Sequence, residues 1–170
     1  MQAEDDAAMD APKDERLAAP GDARWRGLAF LLGTEEVLVA ADAVAEVLDP
    51  PEPLTRIPGV PEWIQGVAAI RGTITLVVDL PRLLGVADGA TVPGRRLLLV
   101  RAPDSAPVGL LVADVLGTRD LDGEPRAAPA AEEPDLITAV RTCTVTGGQA
   151  CRMLDVAALL RSEAFHAVHP

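Results

Sequence analysis

Tyrosine is absent from this chain, and its aromatic side chains are limited to Trp25, Phe30, Trp63 and Phe165. A core so poor in rings must be assembled from many small branched side chains. Val, Leu and Ala dominate here, and such residues suit pleated surfaces. Lysine is almost missing as well, with Lys13 standing alone, and 26 acidic residues against 15 basic ones leave a net charge of −11. Without a basic stripe to release counterions from phosphate, nucleic-acid binding is excluded, and so is docking on an anionic membrane surface. No run approaches the ~18 consecutive apolar residues of a membrane span. Residues 1–6 lack the basic and apolar regions of a signal peptide, so no membrane insertion is expected. Two cysteines make no disulfide framework. The 170 residues, 49% of them apolar, suffice for one domain or two small subdomains sharing a core. A soluble cytoplasmic protein is expected.

Catalytic groups are equally sparse. Ser105 and Ser162 are the two serines, and His166 and His169 fall within the last five residues, where fraying is the default. A nucleophile, its base and an orienting partner would have to assemble from that tail. Gly109 and Gly117 have neither the spacing nor the following Lys-Ser/Thr of a phosphate loop. A metal site built from Cys143, Cys151, His166 and His169 matches no standard zinc spacing, and the cysteines read as small apolar thiols in a hairpin. With a two-residue turn at Gly147-Gly148 their sulfurs lie on opposite faces and cannot bridge, whereas a three-residue loop reverses that parity. The acidic pairs Glu35-Glu36 and Glu132-Glu133 read as solvated surface. No enzymatic activity, cofactor or metal is expected.

Residues 1–24 carry seven acids against three bases and no apolar period, which predicts a disordered acidic leader; residues 166–170 read as a flexible tail. Strands are predicted over 26–32 and 36–40 around a turn at Gly33-Thr34. Residues 41–48 fit a short helix with Asp42 in its first turn, or a strand over 44–48. The prolines at 50, 51, 53, 58 and 61 mark segments that continue neither a helix nor a central strand. Strands over 64–70 and 74–80 form a hairpin around Arg71-Gly72, and the second is apolar enough to be buried on both faces. A helical turn over 79–84 is closed by Gly85. Strands over 96–101 and 108–112 pair with each other, while 88–94 and 119–135 read as exposed loops. Strands over 142–145 and 150–154 flank Gly147-Gly148. A helix then starts at the N-cap Asp155, with Val156, Leu159 and Leu160 on one face. Eight to ten short strands at intervals of about ten residues describe an all-β protein of small barrels or sandwiches.

One segment is more specific. Residues 44–80 hold, in order, Val44-Ala45-Glu46-Val47, Leu54-Thr55-Arg56-Ile57-Pro58, Pro61, Gly66-Val67-Ala68-Ala69-Ile70-Arg71-Gly72-Thr73-Ile74 and Val78-Asp79-Leu80. This series resembles the CheW family of chemotaxis coupling proteins, which read V-x-E-(I/V), T-x-(I/L)-P, G-V-x-N-L-R-G-x-(I/L) and D-L. Ala69-Ile70 departs from the family's Asn-Leu, and Ala113, followed by Asp114, from its Asp. A looser resemblance runs over residues 25–163. Trp25, Ala45-Glu46-Val47-Leu48, Ile57-Pro58-Gly59-Val60 and Trp63 look closest to the pilus-associated, PilI-type members.

The resemblance implies a domain over 25–165 made of two small five-stranded, SH3-like β-barrels, with a groove between them and a helix near the C-terminus. It further implies a non-catalytic adaptor coupling the cytoplasmic tips of methyl-accepting chemoreceptors to the regulatory domain of a CheA-type histidine kinase. The output would be flagellar chemotaxis or type IV pilus twitching. The acidic leader and the tail suggest a stand-alone chain rather than a fragment of a larger kinase. Partner-binding positions carried over by the resemblance are Val44, Glu46, Gly66, Arg71, Gly72, Gly109 and Val115.

The residues themselves leave alternatives open. Arg71 can meet a partner's carboxylate, or form an internal pair with Glu46 or Asp79 that merely fixes the barrel. Val44 and Val115 can be core or groove lining. Trp63 can anchor a partner or pack on the proline segments. A small-molecule-binding or hydrolytic β-barrel is the competing reading, and it needs a pocket of convergent polar groups.

Overall fold

The computed structural model describes residues 25–86, 94–102, 104–123, 126–127 and 140–166. The expected leader, the 88–94 loop up to Pro93 and residues 167–170 of the tail lie outside the described residues, as does most of the 119–135 loop. The chain opens with β1 (Trp25–Leu32), β2 (Glu35–Ala40), a 3-10 turn (Ala41–Ala43) and β3 (Val44–Leu48). It continues through β4 (Ile64–Ile70), β5 (Thr73–Asp79), α1 (Leu80–Leu83), β6 (Arg96–Val100) and β7 (Val108–Val112). Then follow β8 (Asp114–Leu121), β9 (Arg126–Ala127), β10 (Val140–Thr144), β11 (Ala150–Leu154), α2 (Val156–Arg161) and α3 (Glu163–His166).

The strands form two sheets, one in the order β8-β1-β2-β11-β10-β9 and one in the order β3-β6-β7-β5-β4. The first curls until β8 meets the β10–β11 hairpin. The Asp122 N–H donates to the Thr144 carbonyl at 2.8 Å and the Thr146 N–H to that of Asp120 at 2.9 Å, with a β-bridge between Leu121 and Val145. In the second, the chain leaving β3 returns to cover the outer edge of β4, where Thr55 and Val67 exchange two backbone bonds of 2.9 Å. Curling a sheet this way removes the open edges that an antiparallel sheet otherwise presents. The expected pair of five-stranded units with a C-terminal helix is thus present, with the two-residue β9 added to the first.

Burial explains why two small units hold together. Ala29, Leu38, Leu121, Cys143 and Met153 fill the first unit, and Ala68, Val77, Leu97 and Leu111 the second. The largest cluster belongs to both: Phe30, Val37 and Val39 from the first sheet pack with Val78, Leu98, Leu110 and Val112 from the second. Leu154 at the end of β11 and Val156 and Leu159 of α2 seal the same cluster. Each fully buried Leu or Val there contributes about 1.5–3 kcal/mol, so most of the stabilising apolar surface sits between the units. The Asp155 carboxylate caps α2 by accepting from the Ala158 N–H at 3.0 Å. The buried Ser162 then donates to the Leu159 carbonyl at 2.7 Å and accepts from the Phe165 N–H at 3.2 Å, turning the chain into α3.

Of the two alternatives for 41–48, the strand holds: residues 41–43 make one 3-10 turn and 44–48 a strand, so the β-branched Val44 and Val47 prevail over the helical spacing. Other expectations need correcting. Strand β5 is not buried on both faces along its length, since Thr73 and Ile74 are exposed and burial begins at Thr75. Residues 114–121 form a strand, β8, the first three of the 119–135 segment included. At the last hairpin the loop is Thr146-Gly147-Gly148, closed by Val145 N–H to Gln149 C=O at 2.9 Å. That three-residue loop sets Cys143 opposite Cys151, and the two are joined as a disulfide.

Candidate functional site

Arg71 and Gly72 form the two-residue turn between β4 and β5, with φ of 51° and 80°. Both being left-handed, the turn follows the twist of the strands it joins. Glycine adopts that backbone freely; an arginine does so only where its surroundings hold it. What holds Arg71 is Glu46. The Arg71 Nε–H donates to Glu46 Oε2 at 2.8 Å and Nη2 to Oε1 at 2.5 Å, a fork-on-fork pair.

Glu46 follows a bulge in β3 and lies opposite Leu99 of β6. Since β3 and β4 stand at opposite ends of the sheet order, this pair clasps the two edges of the second unit. Of the two internal partners open to Arg71 in the sequence, the structure selects Glu46. The Arg71 hydrogen bond holds the Glu46 carboxyl below its usual range, and Glu46 in turn raises the guanidinium. The clasp is not buried, with the Arg71 side chain 71% exposed and that of Glu46 31%, so it is presented to solvent while it is being made.

Asp79 does different work. It is 1% exposed, accepts from Arg95 Nη2 at 2.7 Å and caps α1 through the Arg82 N–H at 3.2 Å. The D-L pair of the sequence is therefore a buried anchor between β5, α1 and the start of β6.

The remaining expected positions separate by burial. Gly72 is exposed beside Arg71. Val44, paired with Val100, and Val115, paired with Phe30, are half-buried at the margin of the shared core. Gly66 and Gly109 are buried and present no side-chain surface. A Cβ on Gly66 would stand 2.4 Å from the Thr55 carbonyl oxygen, and one on Gly109 would stand 2.8 Å from Leu97 Cδ1. Trp63 is half-buried and packs on the shared core, and its ring lies 5.8 Å from that of Phe165 in α3.

One surface feature escaped the sequence reading. Ile74 is 63% exposed and pairs with the exposed Ala69 just behind the Arg71 turn, leaving an apolar patch beside the clasp. Thr75 is the buried neighbour, its hydroxyl donating to the Thr73 carbonyl at 3.2 Å. The Thr-Ile-Thr alternation carried this signal, but a nearly continuous apolar strand hides which face is inward.

On the first unit, Glu35 and Glu36 are paired rather than merely solvated. Arg152 Nε–H donates to Glu35 Oε1 at 2.7 Å, Arg119 lies 3.2 Å from Glu36, and Arg26 lies 3.3 Å from Asp120. The hydrogen bond from Arg152 lowers the Glu35 pKa. Among the described residues no three His, Cys, Asp or Glu side chains converge on a point where a metal could sit, and no helix is long and apolar enough to cross a membrane.

The chain is 36% identical over 93 residues to Protein PilI of Pseudomonas aeruginosa, covering 55% of this chain and 51% of that one. It is 34% identical over 101 residues to Chemotaxis protein CheW of Rhizobium meliloti, covering 58% and 64%. The matched segments thus span about half to under two thirds of these curated relatives. The crystal structure of the scaffolding protein TtCheW from Thermoanaerobacter tengcongensis superposes with a TM-score of 0.66 at 23% identity, over 77% of this chain and 84% of that one; it shows the shared fold. The model of the CheW-like domain matches residues 26–164, from the start of β1 into α3, and the chain belongs to the CheW-like domain family.

Proposed function

We propose that this protein is a non-catalytic adaptor of a chemosensory system, coupling the cytoplasmic tip of a methyl-accepting receptor to the CheW-like regulatory domain of a CheA-type kinase in the cytoplasm. The observation that carries the reading is the Arg71–Glu46 clasp: a family-specific arginine held bidentate at a hairpin tip, yet open to solvent. The exposed guanidinium keeps donors free for a partner's carboxylate.

The proposed contact surface comprises Glu46, Arg71 and Gly72 at the clasp, with Val44 and Val115 as half-buried apolar lining. Gly66 and Gly109 contribute by shape, letting backbone and Leu97 approach where a side chain would intrude. Similarity to PilI and to the Rhizobium CheW supports an output in either pilus twitching or flagellar motility, and the PilI-type features of the sequence favour the former.

The test is a pull-down of the cognate kinase regulatory domain and receptor tip by wild type, Arg71→Ala and Glu46→Ala, with circular dichroism on each. Binding by wild type and its loss in folded variants supports the adaptor and its surface. Binding of neither partner by wild type sinks the reading. Tight small-molecule binding in a thermal-shift screen would favour a ligand-binding barrel instead.

A further inference from the structure

Cys143 and Cys151 face each other across β10 and β11, their Cα atoms 4.9 Å apart and their sulfurs bonded. Their surroundings differ. Cys143 is 8% exposed and packs among Ala29, Leu38, Leu121 and Met153. Cys151 is half-buried; it touches the edge of the same cluster and also lines an open, mostly polar cavity of about 580 Å³, together with Glu36, Arg119, Asp120, Thr146 and Gln149.

The bonds that close the first unit lie inside the loop this disulfide ties. Asp122 N–H to Thr144 C=O, Thr146 N–H to Asp120 C=O and the Leu121–Val145 bridge all engage residues between the two cysteines. A cross-link spanning eight residues of sequence removes less chain entropy than a long-range one, and the hairpin already pairs these strands, so its main consequence is local.

We propose that Cys143–Cys151 is a thiol-exchange site that takes a dithiol reductant through the cavity, and that its redox state sets how firmly the β10–β11 hairpin closes the first unit. A thiolate of the dithiol attacks Sγ of Cys151, the cysteine that lines the cavity. The S–S bond breaks, and its electron pair leaves on Cys143 Sγ, which takes up a proton. The second thiolate of the dithiol then attacks the mixed disulfide and releases Cys151 as a thiolate, which is protonated in turn. The protein gains two electrons and two protons, and the dithiol becomes a disulfide. The leaving sulfur departs into an apolar site that solvates a thiolate poorly, so a monothiol stalls and the intramolecular second step of a dithiol is needed. The proposal is independent of the adaptor reading.

The test uses the full chain after air oxidation. Maleimide mass shifts count free thiols under native conditions, before and after millimolar dithiothreitol, with far-ultraviolet circular dichroism as the check on folding. The expected counts are none before and two after, with the fold retained. In the reduced protein the amides of Asp122, Val145 and Thr146 should exchange with deuterium about tenfold faster, while those of β5 and β7 are unchanged. Free thiols in the oxidised sample, or thiols that dithiothreitol reaches only after denaturant is added, would overturn the exchange site. Unchanged amide protection on reduction would overturn the coupling to closure. In single-cysteine variants, Cys151 in Cys143→Ser should take up glutathione from its disulfide about tenfold faster than Cys143 in Cys151→Ser. Equal rates would overturn Cys151 as the attacked sulfur. Should either variant fail to fold, the wild-type thiol counts and amide exchange decide the matter.

Discussion

Gly66 and Thr55 are packed backbone to backbone: a Cβ on residue 66 would stand 2.4 Å from the Thr55 carbonyl oxygen, and φ at Gly66 is 140°. The contact exists because Thr55 and Val67 exchange two hydrogen bonds that cover the edge of β4. Any side chain at position 66 must push that segment away.

Gly66→Ala should therefore cost about 3 kcal/mol or more in urea unfolding, losing both bonds along with the strained φ. Gly72→Ala, at φ 80° but with open space around the new methyl, should cost only about 1 kcal/mol. Equal losses at the two sites would mean that steric contact with Thr55 is unimportant.

Gly109→Ala tests a different contact. The methyl would meet the buried Leu97 side chain at 2.8 Å, an overpacking expected to cost about 1–3 kcal/mol. Adding Leu97→Val should restore part of that loss, and a double variant no better than the single one would argue against the packing account.

At Asp79 the loss should be electrostatic and local. Asp79→Ala strands the largely buried Arg95 and uncaps α1, for an expected cost of about 3–5 kcal/mol. Asp79→Asn keeps an acceptor for the Arg82 N–H and should lose distinctly less. Chemical denaturation of the two variants makes the comparison.

The clasps at Arg71–Glu46 and Arg152–Glu35 predict a pH signature. Arginine hydrogen bonds hold both carboxyls below their ordinary value of 4.5 in the folded chain. A depressed folded pKa contributes stability that is present above the unfolded value and lost as pH falls through the folded one. The double variant Glu35→Gln/Glu46→Gln should melt a few degrees below wild type at pH 7, the modest effect of exposed pairs. That gap should narrow as pH drops below about 4.5 and shrink in high salt. A gap independent of pH would assign the loss to packing instead.

Local features were legible wherever one residue type has one physical use. Glycine pairs and prolines marked most of the turns. Asp155 before an apolar helical stripe marked α2, and Asp79 ahead of Leu80-Pro81 marked the α1 turn. The V-x-E, R-G and D-L elements in order were enough to identify the family, and Arg71 and Glu46 as residues to watch. Missed features depended on parity and on distant neighbours. One residue more in the loop at 146–148 moves Cys143 opposite Cys151. The outward face of Ile74 becomes visible only once Thr75 is seen to point inward.

By itself, then, the sequence determined an all-β chain, its family and its principal turns, because backbone conformational preference and side-chain chemistry are properties of single residues and short windows. Tertiary structure decided what each marked residue touches. Residue 71 meets residue 46 from the far edge of a sheet, Asp79 meets Arg95 and Gly66 meets Thr55. Those pairings follow from strand order and register, which are set by packing the whole core at once and leave no trace in any short stretch of chain.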